Sequence, residues 1–180
     1  MTGNNKRFYT LFTEVIQHIE LQILMNLTAK ALRVPTISIW RLNHIEGLRC
    51  YAEFTRDYLS DGVTPDVLQR MNTQAYRLGR KLRLIFFVTS QASAQKTIVK
   101  LYRNIGIQMS FKSDNHICFH SCFFSHFYSP DVCQAASSLD DGIIRGITGC
   151  GHLTFEQRIT EKCNYCLAQY KHEEKSNCNR

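Results

Sequence analysis

Apolar positions recur at helical spacing up to Gly106 and alternate with polar ones beyond it. That change of period divides the chain into a helical part, residues 1–106, and a sheet-and-helix part, residues 107–171. From Phe8 to about Arg33 the helical positions are Phe8, Phe12, Val15, Ile19, Ile23, Leu27 and Ala31, and Pro35 ends the run because proline cannot continue the hydrogen-bond ladder. Thr36 is the expected cap of a second helix that carries Trp40, Leu48 and Tyr51 toward Leu59, where Asp61-Gly62 breaks it. Thr64-Pro65-Asp66 combines an N-cap residue, proline at the first helical position and an acid in the first turn. The third helix is expected to run through Leu78 to about Val88, although Leu84–Val88 also fits a short strand. Thr89-Ser90 caps a fourth helix ending near Gly106.

In the second part, Ile107–Lys112 predicts a strand, Ser113-Asp114-Asn115 a turn, and His116 to about Phe124 its antiparallel partner. Ser129-Pro130-Asp131 starts a further helix with Val132, Ala136, Leu139 and Ile143 on its buried face. Gly142 and Gly146, on the same helix, would let it approach a neighbouring backbone closely. His152–Thr160 and Cys166–Lys171 read as two more strands, and residues 172–180 as a mobile tail that removes Cys178 from consideration. The order predicts one α+β domain over residues 1–180, with N-terminal helices packed on a mostly antiparallel sheet and a strand-strand-helix-strand-strand second half.

Composition adds limits to this picture. A hydrophobic fraction of 44% and a charged fraction of 21% are ordinary for a globular protein, and no apolar run is long enough to span a bilayer. The segment Met1–Arg7 is polar and leads into an amphipathic stretch, unlike a signal peptide, so the expected compartment is cytoplasmic. There the eight cysteines would serve as thiols, ligands or catalytic groups rather than as a disulfide framework. Only Cys50 precedes Cys118, so sulfur chemistry belongs to the C-terminal third, which also holds Cys150. The formal charge of +7 suits a small anionic substrate. Arg77, Arg80, Lys81 and Arg83 read as a solvated face, with neither a nucleic acid nor a membrane as partner; a homo-oligomer is compatible with the sequence.

The candidate chemistry begins at His116-Ile117-Cys118-Phe119-His120-Ser121-Cys122. On a regular strand, His116, Cys118, His120 and Cys122 share one face, and Ile117, Phe119 and Phe123 the other. On the helix after Pro130, Cys133, Ser137 and Asp140 return to one face at offsets of four and seven. A thiol activated by His120, with Asp140 orienting the base or anchoring substrate, is one reading; plain packing of buried cysteines is the other. Cys118, Cys122, Cys163 and Cys166 offer a competing four-thiolate set for zinc or an iron–sulfur cluster, although the first pair lies within a strand rather than a tight turn.

The series Cys122, Cys133, Asp140-Asp141-Gly142, Leu153-Thr154-Phe155-Glu156-Gln157-Arg158-Ile159-Thr160 and Cys166 resembles the C-terminal half of the L-2-amino-thiazoline-4-carboxylic acid hydrolase-like proteins. The resemblance covers about residues 116–171, and its motifs are moderately specific. It departs at Phe123, where proline is common, and in the Phe155–Arg158 spacing, which is one residue longer than Phe-x-Arg. A looser similarity is to 4-vinyl reductase domains. The resemblance implies a hydrolase that opens a C–N bond in a small carboxylated heterocycle without a cofactor. It implies Cys122 or Cys133 as nucleophile or substrate contact, His120 as base, Asp140 as orienter or anchor, and Ser137 and Arg158 toward the substrate. Arginine suits a carboxylate clamp because it pairs in a bidentate manner; the alternative for Arg158 is an exposed pair with Glu156 or Glu161. The non-catalytic alternative is a module that binds a small ligand or metal between helices and sheet.

Overall fold

The computed structural model describes residues 3–112, 115–149 and 151–171, with side chains from residue 13 onward. Ser113, Asp114, Cys150, Cys178 and the expected tail 172–180 lie outside the described residues.

Helices α1 (Gly3–Leu32), α2 (His44–Leu59), α3 (Pro65–Ile85) and α4 (Gln91–Asn104) precede strands β1 (Ile107–Phe111) and β2 (His116–Cys122). A short 3-10 turn over Phe123–His126 leads to α5 (Pro130–Thr148), followed by β3 (His152–Gln157), a second 3-10 turn over Ile159–Glu161, and β4 (Cys166–Lys171). The strands form one antiparallel sheet in the order β1-β2-β4-β3. The fold is therefore α+β, as the change of period predicts. No described helix is long and apolar enough to cross a membrane.

Local chemistry explains the boundaries. Thr64 and Ser129 accept hydrogen bonds from Val67 and Val132 amides, each with proline opening the helix behind it. The second helix begins later than its expected cap because the Thr36 hydroxyl donates to Asn26 Oδ1 at 2.6 Å instead of capping a helix. Asn43 takes over, in a reciprocal capping box with Glu46, and Trp40 is left exposed in the preceding loop. The α3 helix stops at Ile85; Phe87 adopts a left-handed conformation and Val88 turns back to donate to the Arg83 carbonyl. Leu84–Val88 is thus a helix end and turn.

Of the apolar positions expected on α1, Val15, Ile19 and Ile23 are exposed, Leu27 is partly buried against the core and Ala31 is buried; Leu21, Leu24, Met25 and Thr28 also point into the core. The exposed and the core-facing positions both have helical spacing, so periodicity alone did not separate them.

The close approach expected on α5 is present against α3. A Cβ added at Gly142 would lie 2.5 Å from the Asn72 carbonyl oxygen, and one at Gly146 would lie 2.5 Å from the Tyr76 oxygen. Asn72 fastens the same contact, donating to Asp141 Oδ2 at 2.6 Å and accepting from Arg145 at 2.6 Å. Helix α5 is thereby fixed in position behind the sheet, where it carries Cys133 and Asp140.

Candidate functional site

Two β-bulges decide which side chains reach the interior. In the β1–β2 ladder, Gln108 pairs with Ser121 and Met109 with Phe119, which leaves His120 as the extra residue. A bulge interrupts strict alternation. His120 and Ser121 both turn to solvent, and Cys122 falls opposite the buried Ile107 on the core face. In the β3–β4 ladder, Phe155 pairs with Ala168 and Gln157 with Leu167, which leaves Glu156 extra. Beyond it Arg158 swings over the Phe155 ring, 4.9 Å from the centroid, and Phe155 itself packs on the core residue Phe119. The residue by which this spacing exceeds Phe-x-Arg is absorbed by the bulge.

The expected single wall of His116, Cys118, His120 and Cys122 is therefore split. Cys122 faces α5 through the sheet's inner side. Cys118 and His120 remain on the outer side, with Cys118 Sγ 3.6 Å from His120 Nδ1 and Ser110 Oγ 2.8 Å from His120 Nε2. His116 pairs there with Glu156 at 3.3 Å. His120 is not brought to Cys122, Cys133 or Asp140, which corrects its expected role as their base.

On the inner side, Cys122, Cys133 and Asp140 line one cavity of about 80 Å³, together with Tyr51, Tyr102 and Tyr128 and an apolar remainder. Asp140 retains some accessible surface because it lines this cavity, yet desolvation dominates its carboxyl and pushes the pKa up to about 7. The Tyr102 hydroxyl donates to Asp140 Oδ1 at 2.9 Å and opposes that rise; Asp141 adds to it, and Arg158 opposes it. Tyr102 is itself buried, and in the sequence it is indistinguishable from one more core aromatic of α4.

The thiols are held neutral. Burial pushes Cys122 up to about 12 and Cys166 up to about 11. Cys166 accepts from the Ile159 amide at 3.3 Å, which only partly offsets the loss of water. Cys133 is also raised by burial, with Thr160 and Arg158 pulling the other way and Asp140 reinforcing the rise. The Thr160 hydroxyl stands close enough to favour the Cys133 thiolate but makes no well-formed hydrogen bond, and its oxygen is buried without a partner among the described residues.

Arg158 has a divided role. Its guanidinium is 3.5 Å from Glu161, the exposed pairing foreseen as the alternative, while its buried Nε has no partner among the described residues. Ser137 donates to the Cys133 carbonyl at 2.8 Å, so its hydroxyl is spent on its own helix. The four thiols of the metal reading are not gathered: Cys118 is on the outer face, Cys122 and Cys166 on the inner, and Cys163 follows the second 3-10 turn. Among the described residues no group of three or more His, Cys, Asp or Glu is placed to hold a metal ion. Of the basic run, Arg77, Arg80 and Lys81 are exposed along a groove between α1 and α3, and Arg83 donates to the Thr148 carbonyl.

The chain matches no protein-family profile and no curated protein.

Proposed function

We propose that the protein is a small-molecule hydrolase similar to the L-2-amino-thiazoline-4-carboxylic acid hydrolases, opening a C–N bond in a small carboxylated heterocycle in the cytoplasm. The observation that carries this reading is Asp140, a cavity-lining carboxyl with a pKa of about 7. A general base works best when its pKa lies near the operating pH. Asp140 would take a proton from water as that water attacks the ring carbon bonded to nitrogen, and return it to the leaving nitrogen. Tyr102 holds the carboxyl in place through its hydroxyl. Arg158 does not itself line the cavity, but its charge acts on Asp140 and Cys133 from beside it; its assignment to the substrate carboxylate comes from the resemblance. The neutral thiols of Cys122 and Cys133 become walls of the site rather than its nucleophiles. This assignment places the chemistry on the carboxyl.

A volume of about 80 Å³ is below the roughly 300–1,000 Å³ of most ligand pockets, so a heterocycle must displace part of the wall. The test is ring opening of L-2-amino-thiazoline-4-carboxylate, followed by chromatography. Turnover that rises with pH through about 7 and falls by at least ~100-fold in Asp140→Asn supports the reading. Absence of turnover with saturable binding of the same compound favours the second reading, a non-catalytic small-ligand module, which the apolar part of the lining suits. Neither turnover nor binding overturns both.

A further inference from the structure

The outer face of the sheet holds a second group of reactive side chains, independent of the cavity. Ser110, Cys118 and His120 come from neighbouring strands β1 and β2 and meet on the side away from α5. His120 lies at the bulge, so its ring is exposed and its orientation is not set by core packing. Ser110 Oγ is 2.8 Å from Nε2, which turns Nδ1 toward Cys118 Sγ at 3.6 Å. A nucleophile within hydrogen-bond reach of a base, with a third group orienting that base, is the arrangement that activates a thiol. With Nε2–H donating to Ser110, Nδ1 is free to accept the thiol proton; this tautomer is assigned by role.

We propose that Cys118 is a thiol–disulfide exchange site, with His120 as its base and Ser110 as the residue positioning the base. The co-reactant is a small symmetrical disulfide, RS–SR. His120 Nδ1 takes the Cys118 proton, and the thiolate attacks one sulfur of the disulfide. The RS–SR bond breaks as the Cys118–S–SR bond forms, and the departing RS⁻ takes the proton from His120 to leave as RSH. The product is a mixed disulfide on Cys118, with no net electron transfer from any other group.

Cys118 is only 3% exposed, so burial alone would make it one of the slower thiols. That sets the sense of the experiment. The full chain is treated with 4,4′-dithiodipyridine at pH 7, and the modified peptides are followed over time by mass spectrometry. Cys118 is expected to react about tenfold faster than the more exposed Cys50 and Cys163, since it alone of the three has a histidine base within hydrogen-bond reach among the described residues. His120→Gln should slow Cys118 at least tenfold, added imidazole should restore part of the loss, and Ser110→Ala should slow it less. Circular dichroism shows which variants keep the fold, and the wild-type rate order is decisive without them. Cys118 reacting no faster than Cys50 and Cys163 overturns the proposal. So does a folded His120→Gln protein that reacts at the wild-type rate.

Discussion

Tyr102 and Asp140 face each other across α4 and α5, with the tyrosine hydroxyl donating to Oδ1 at 2.9 Å. The bond stabilises the ionised carboxyl and is the largest influence opposing its desolvation. Tyr102→Phe should therefore move the Asp140 titration upward from about 7, and should cost roughly 1–3 kcal/mol at pH 8, where the carboxylate is left without that donor. The titration is measurable by the carboxyl infrared band against an Asp140→Asn background. A midpoint that stays put would mean that water supplies the same hydrogen bond.

The same carboxyl makes stability depend on pH with a defined sign. Its folded pKa of about 7 is above its ordinary 3.8, so between these values the folded state holds a proton that the unfolded state has released. Stability from this group is complete below pH ~4, declines as pH rises, and is fully lost above the folded pKa. A pKa of about 7 in place of 3.8 corresponds to roughly 4 kcal/mol. Asp140→Asn should consequently gain a few kcal/mol at pH 8 and little at pH 4, in urea unfolding at both pH values. An equal effect at the two would show that Asp140 is not desolvated.

How much of this was legible in the sequence differs by residue. Helix starts at Thr64-Pro65 and Ser129-Pro130 follow from local chemistry, and the structure has them at those positions. Thr36 misled because its hydroxyl has a tertiary partner, Asn26, that no local rule could supply. The shared face of Cys133 and Asp140 was readable because a helix without irregularities keeps its period. The wall on β2 was not, because one extra residue at His120 moves Cys122 to the opposite face and a bulge leaves no composition signal. Arg158 was found through its motif, but its inward turn depends on the bulge at Glu156.

The contact between α3 and α5 should tolerate no side chain at Gly146. An added Cβ would lie 2.5 Å from the Tyr76 carbonyl oxygen and 2.8 Å from the Arg80 nitrogen, both backbone atoms that cannot move alone. Gly146→Ala should destabilise by about 2 kcal/mol or more and displace Asp140 along with its helix. Gly62→Ala is the control, with a positive φ of 86° but nothing within 4 Å of its Cβ. It should cost about 1 kcal/mol and leave the cavity unaltered. Equal urea midpoints for the two variants would mean that α3 and α5 are further apart than described.

The cavity thiols should be inert where an activated nucleophile would be reactive. With a pKa of about 12, Cys122 is ionised at pH 8 in only about one molecule in ten thousand, whereas an unfolded cysteine near 8.5 is substantially thiolate. Iodoacetamide at pH 8 should therefore label Cys122 at least ~1,000-fold more slowly in the folded chain than in urea, with Cys166 similarly protected. Cys122→Ala should then retain ring-opening activity within about tenfold, because it removes a wall contact and no proton carrier. Rapid alkylation of Cys122 in the folded chain, together with loss of turnover in Cys122→Ala, would return the nucleophile's role to that thiol and leave Asp140 to act on it rather than on water.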